Sequence, residues 1–468
     1  MKKRTATVLK WAGIVVLAMG VLYAVLLGFA NRSLRRAYAT LEAGGRPMKA
    51  QQIILADIPN SDNAALIYKA VVLQLKAEEA GEQDLFEELG DLASRIRAEK
   101  PDAEAEEQFR AICQRKVVQD AIAMLRRGAS KAGCRYDLDY SKGARILLPH
   151  IADLRTLSRI LCAKARMEVA QGRGEEAWGD VITSLRLANA LHSEPLLISQ
   201  LVRIAQFSLA ADTIPSVAAI AAPDQQQCDA IAELLLSFED TAPLVAAMDG
   251  ERLLLGEWAF NLPRSELRKT VVLVNGGAKH VIALGTIFPP LLHRDHAAYL
   301  TVMHAYATNA TGRYSSSDVA LGDELLNEVP RYCILTRMLV PALSAAKGRY
   351  VSMIAQARVT RAGLAVMQHV TNENAYPANL EALRTGNLVD PFTGGALAYK
   401  TTPSGFVVYS VGENLTDDGG TTAKDRRDGD IVWNYCAKKT ADRNRTSPHG
   451  EALPPHRAYG SRTRRVGW

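Results

Sequence analysis

Residues 375–436 read AYPANLEALRTGNLVDPFTGGALAYKTTPSGFVVYSVGENLTDDGGTTAKDRRDGDIVWNYC. The hydrophobic period changes here. A helix over 358–369 runs on to Asn372 and stops before Tyr376-Pro377, because proline drives the preceding residue out of α space. Residues 379–383 read as a short helical turn. Asp390-Pro391 opens a second turn and Gly394-Gly395 closes it. Residues 396–400 and 406–411 alternate as strands, and the five residues TTPSG join them as a hairpin. A long polar loop, 412–430, precedes a last strand at Ile431, Val432 and Trp433. The stretch 358–436 is thus a small α+β domain with an antiparallel sheet.

The loop holds the most chemistry. Asn414, Asp417, Asp418, Asp428 and Asp430 stand in a glycine-rich segment. Calcium takes six to eight hard oxygens from carboxylates, amides and carbonyls, so such a loop has the donors to wrap one ion. Acids folded close together without an ion repel one another. The alternative is an acidic loop that faces solvent. The spacing of an EF-hand is absent.

Outward from this domain the chain is helical. Leu154, Leu157, Leu161, Ala165 and Val169 fall on one helical face, and so do Trp178, Val181, Ile182, Leu185 and Ala188. Gly172 and Gly174 separate the two, which makes a helical hairpin. The joining AQGRGEEAW resembles the turn of a tetratricopeptide repeat, with no second copy at a fixed period. Helices continue over 196–211 and 229–238. The acid-rich stretch 78–107 reads as a solvated helix or a pair of short ones. Residues 256–330 are less regular, punctuated by Gly276, Gly277, Pro289 and Pro290. Residues 31–357 form a helical body of one domain or two.

One cluster in the body offers metal chemistry. His293 and His296 share a helical face, with Asp295 between them and His304 two turns on. Such a face has ligands for zinc. The alternative is a row of hydrogen-bonding histidines on a half-buried helix. No HExxH, GxSxG, GxxxxGK or dinucleotide glycine pattern is present. The six cysteines, at 113, 134, 162, 228, 333 and 436, include no CxxC, and buried free thiols are expected.

Toward the other end, residues 11–30 read WAGIVVLAMGVLYAVLLGFA, with no charge. At ~1.5 Å per residue this spans a hydrocarbon core of ~30 Å. Lys2, Lys3, Arg4 and Lys10 precede it in a basic tail, 1–10. Arg32, Arg35 and Arg36 follow. Basic residues on both flanks leave orientation nearly balanced. The short basic leader favours the N-terminus inside, which exports the rest of the chain to the periplasm from the inner (cytoplasmic) membrane. The alternative is a signal peptide cleaved near Gly28 and Ala30. No second apolar run of that length occurs.

The last 32 residues, 437–468, hold eight Lys/Arg against Asp442 and Glu451, which accounts for the whole net charge of +6. With Pro448, Pro454 and Pro455 they read as a disordered basic tail. The remaining chain is balanced, so no nucleic-acid partner is expected. With 48% hydrophobic and 23% charged residues over 468 positions, the chain is neither disordered nor a disulfide miniprotein. The fold class is mainly α: a transmembrane helix, a helical body and the small α+β domain.

Tyr376-Pro377, Leu380, Leu383, Asp390-Pro391, Tyr399, 409–412 (YSVG), Gly419-Gly420, 428–431 (DGDI) and Trp433 follow one another in a definite order. This order resembles the C-terminal half of type II secretion pseudopilins, the major pseudopilin above all. The same domain also follows large helical regions in some membrane-anchored bacterial proteins. The resemblance covers 358–435. It implies a calcium-stapled sheet, in which Asn414 matches the first loop acid and Asp428 and Asp430 match the closing pair. Asp417 and Asp418 sit in a two-residue expansion. Residues 1–35 depart from the family: they lack the prepilin processing site and the glutamate inside the apolar segment. Processing by a prepilin peptidase and polymerisation into a pseudopilus are therefore not expected.

Three functions follow as expectations. The first is a non-enzymatic, single-pass envelope protein whose body and calcium-stapled domain bind an unknown protein or envelope partner. The second is a component of a type II secretion-like apparatus. The third is an exported metal-dependent enzyme using His293, His296 and His304.

Overall fold

The computed structural model describes residues 2–80, 83–97, 102–267, 288–343, 345–383, 386, 388–423 and 428–436. The basic tail 437–468 and Gly276-Gly277 lie outside them. The protein is mainly α, with an apolar N-terminal helix and one small antiparallel sheet near the C-terminus.

Helix α1, Lys2–Ala43, has 42 residues without a break. Its apolar part is largely exposed: Trp11, Leu17 and Phe29 are 64%, 70% and 63% exposed. Burial begins at Ala30 and continues at Ala37 and Leu41. One helix therefore carries two surfaces, an apolar one with little protein cover and then one stripe that enters the core. Among the described residues, it is the one helix long and apolar enough to cross a membrane.

The body follows as α2 Ala64–Lys76, α3 Leu85–Ile96, α4 Ala103–Cys113, α5 Lys116–Ala129, α6 Pro149–Ala170, α7 Gly174–Asn189, α8 Leu197–Ala218, α9 Gln225–Ser237 and α10 Ala242–Gly250. A π-helical turn, Glu251–Gly256, leads into the short α11, Glu257–Phe260. Beyond it lie α12 Pro289–Asn309, α13 Ser316–Glu328, α14 Ile334–Leu339 and α15 Ala346–Glu373. The expected hairpin is α6 and α7. Its stripes are buried throughout, except that Ile182 is only partly covered. The acid-rich stretch 78–107 does lead through a pair of short helices, as expected, but it is not a solvated segment. It forms a two-residue ribbon, β1 Glu79–Ala80 with β2 Gln83–Asp84, and then α3 and the first turn of α4. Leu85, Phe86, Leu89, Leu92 and Phe109 are buried there, because the acids occupy only the outer face of amphipathic helices.

Two hydrophobic clusters share α6, α7 and α8. One gathers α2 to α5 around Tyr68, Leu89, Phe109 and Leu157. The other runs from Ala37 and Leu41 of α1 through Trp178, Phe207 and Tyr350 to Phe406 and Trp433 of the sheet. The expected boundary at 357/358 falls inside α15. This helix is buried on the body side at Tyr350, Met353 and Ile354 and on the sheet side at Ala362 and Val366. Fully buried Arg203 on α8 ties the body to it. Arg203 donates to Tyr350 Oη (3.0 Å), Asn189 Oδ1 (3.0 Å) and the Ser237 carbonyl (2.9 Å) and lies over the Phe238 ring.

The sheet has the order β3-β4-β5, with β3 Ala398–Thr402, β4 Gly405–Ser410 and β5 Ile431–Cys436, all antiparallel. Thr402 pairs with Gly405, so the hairpin turn is the two residues Pro403 and Ser404 rather than five. Phe406, Val408 and Trp433 pack in the core shared with α15. Burying each of these side chains contributes about 1.5–3 kcal/mol.

Helix and sheet meet at Gly363, where an added Cβ would stand 2.4 Å from Trp433 Cε3. Gly363→Ala is expected to cost about 1–3 kcal/mol through overpacking. A denaturant midpoint equal to that of the parent would show that the two layers have room to part.

Candidate functional site: the loop between β4 and β5

The strands hold the two ends of the loop side by side, since Ser410 pairs with Ile431. Gly419 and Gly420 both adopt positive φ, 73° and 83°, and turn the chain back toward β4. Asp430, buried at 4% exposure, anchors that turn. Its Oδ1 accepts from the Asp418 amide (3.2 Å) and its Oδ2 from the Gly420 amide (2.6 Å). Asp417 accepts from the Gly419 amide at 2.9 Å. That hydrogen bond and another from the Tyr409 hydroxyl hold its carboxyl below the usual range.

The remaining three residues converge. Asn414 Nδ2 donates to Asp418 Oδ2 (2.9 Å) and to the Asp428 carbonyl (3.1 Å). Asn414 Oδ1 accepts from the Thr416 amide at 3.1 Å. The five expected residues thus divide. Asn414, Asp418 and Asp428 come to one point, while Asp417 and Asp430 build the loop. The donor set is all oxygen and amide, which suits a hard cation. Rotating the Asn414 amide would present Oδ1 to the same point, at the loss of the Thr416 hydrogen bond. Among the described residues, no group of three or more His, Cys, Asp or Glu side chains is placed to hold a metal ion. A cation here would therefore rest on the Asn414 amide and the Asp428 carbonyl as well as on acids. A cavity of about 600 Å³ opens beside the loop, lined by Asp212, Arg349, Gln356, Glu413 and Asp430.

No family model, curated protein or solved structure matches this chain.

The histidine row lies on α12, and its members are engaged separately. His293 Nδ1 pairs with Asn31 Oδ1 of α1 at 2.7 Å. His296 stacks on Phe260 at 4.4 Å and meets Tyr38 edge-on at 5.9 Å. Burial pushes its ring pKa down to about 4, so it is neutral at ordinary pH. Asp295 caps α14, accepting from the amides of Leu335 (2.9 Å) and Thr336 (3.1 Å) and from the Thr336 hydroxyl (2.6 Å). The row thus joins α1 to α12 and caps α14.

Sequence reasoning missed a buried ionic node at the same junction. Arg252, 1% exposed, donates to Glu257 Oε1 (2.9 Å), to the Pro47 carbonyl and to Asp249 Oδ1 (3.5 Å). Arg46 reaches Asp249 Oδ2 at 2.5 Å, and Tyr38 donates to Glu257 Oε2 at 3.3 Å. Burial raises both carboxyls, against the pull of the arginines. The spacing Asp249–Arg252–Glu257 within an apolar helical stretch was the available signal.

Proposed function

We propose that this protein is a membrane-anchored, non-enzymatic scaffold. It holds its helical body and its C-terminal α+β module against the periplasmic face of the inner (cytoplasmic) membrane, where the module binds a protein or envelope partner. The observation that carries this reading is the continuity of α1. The helix passes from a bare apolar surface into the core with no hinge at Gly28 or Ala30. An anchor built in this way transmits the position of the membrane to the body. The resemblance of 358–435 to pseudopilins, and the cavity beside the loop, support the module as the binding part.

In this reading the loop takes calcium through Asn414, Asp418 and Asp428, with Asp417 and Asp430 holding its shape. Calcium at 100-fold over its Kd stabilises a protein that binds it only when folded by about 2.7 kcal/mol. The full chain is expected to melt higher in calcium than in chelator. Asp418→Asn is expected to abolish that difference, whereas Asp430→Asn lowers the melting point in both conditions. A parent indifferent to calcium overturns the ligand assignment. The topology has its own check: protease added outside spheroplasts is expected to digest the body, and full protection would place it in the cytoplasm.

A further inference from the structure

Helices α1 and α12 run side by side and parallel. Tyr23 meets Phe288 edge-on at 5.5 Å, His293 pairs with Asn31, His296 meets Tyr38, and His304 packs against Gly44. These contacts set a register between an apolar span and a body helix. Full burial on α1 begins at Ala30. At ~1.5 Å per residue, the contacts of Phe288 and His293 place Phe288 roughly 6–10 Å on the span side of Ala30. The start of α12 therefore lies at the depth of the hydrocarbon, beside the anchor and not beyond it. Phe288, Pro289 and Leu291 are all partly exposed at that depth.

Just beyond it stand four arginines. Arg32, Arg35 and Arg36 are exposed on α1, and Arg294 is exposed on α12, one residue past the His293–Asn31 pair. By the same register they fall within about 10 Å beyond Ala30, the layer that lipid headgroups occupy. A second copy of the chain would bring the same four positive charges against them. Lipid phosphates bring the opposite charge.

We infer that the body is seated in the bilayer: Phe288, Pro289 and Leu291 enter the outer hydrocarbon of one leaflet, and Arg32, Arg35, Arg36 and Arg294 bind phospholipid phosphates. The inference rests on the reading of residues 11–30 as the span. It adds that the body is docked on the membrane and does not swing from a tether. Juxtamembrane arginines of this kind attract anionic lipid, and the apolar wedge fixes the depth.

The test uses the full chain in vesicles that contain phosphatidylglycerol and a lipid with a tagged acyl chain. A photoreactive benzoylphenylalanine replaces Phe288, Leu291, Leu22 or Leu147 in separate preparations. Leu22 lies in the span and Leu147, 78% exposed, lies on the body. Lipid adducts are expected at 288, 291 and 22 and not at 147. Adducts at 22 without adducts at 288 or 291 overturn the docking and leave the span intact. No adduct at 22 removes the span and the inference with it. A protein–protein adduct at 288 would assign the surface to a second copy. Arg294→Ala is expected to lower the yield at 291 roughly fivefold. An unchanged yield overturns the arginine contribution.

Discussion

Replacing Arg252 with alanine is expected to remove about 3–5 kcal/mol of folding stability, the cost of breaking a buried ion pair from one side. Arg252 has no solvent to fall back on, and its three acceptors come from different parts of the junction. Asp249 ends α10, Glu257 begins α11, and Pro47 lies in the chain that leaves α1. Asp249 would retain Arg46, whereas Glu257 would be left with the Tyr38 hydroxyl alone. The loss is also expected to depend on pH. Both carboxyls already sit above their ordinary values because burial opposes ionisation. A carboxyl whose folded value is raised contributes stability that is full below its unfolded value and lost as pH rises through the folded one. Removing the positive charge of Arg252 raises the folded values further. The variant should therefore lose less at about pH 5 than at about pH 8, relative to the parent. Denaturant titrations at the two pH values check this. An equal loss at both would assign the effect to packing, and no loss would sink the account of the node.

Much of the architecture was legible because it rests on local periodicity. The stripes at 154–169 and 178–188 define α6 and α7, the unbroken run at 11–30 defines the exposed part of α1, and the alternation after Asp390 defines the sheet. What escaped is what depends on long-range contact. The body and the C-terminal module share α15, and no local feature at 357 marks a boundary or its absence. The segment 78–107 looked solvated because its acids are numerous, although their spacing leaves Leu85, Leu89 and Leu92 on one face. In the loop, the five candidate residues were legible as a set but not as two groups. Asp430 serves the backbone because the strand pairing of Ser410 with Ile431 turns it inward, a consequence of register that composition does not carry. The histidines of α12 share a helix, as their spacing implies, but α1 and Phe260 reach them first, and Asp295 between them is taken by α14.

The second large effect is expected at Asp390, which sequence reasoning took as the opening of a turn and as part of the resemblance, without a role for its side chain. Its carboxylate is buried at 2% exposure and has three donors. Oδ1 accepts from the Phe392 amide (2.8 Å) and the Ser410 hydroxyl (2.9 Å), and Oδ2 from the Val411 amide (3.1 Å). The residue thus fastens its own turn to the end of β4, where the loop toward β5 begins. Alanine would leave these donors unpaired in the interior. Each orphan costs about 1–3 kcal/mol, and hydrogen bonds to a charged acceptor stand at the upper end. Asp390→Ala is therefore expected to destabilise the module by about 3–5 kcal/mol, allowing for some relaxation. Ser410→Ala removes one donor together with its need for a partner, and should cost about 1 kcal/mol. Asp390→Asn should fall between them, since its amide can keep the bonds at one oxygen but sets a donor against the Val411 amide. Hydrogen exchange of the β4 and β5 amides reports the effect locally, ahead of any global unfolding. If Asp390→Ala exchanges no faster than Ser410→Ala, the carboxylate does not hold the turn to the strand. If the predicted order holds, the Asp390-Pro391 pair has its physical reason: a turn whose first side chain reaches across to fix the strand that presents the candidate site.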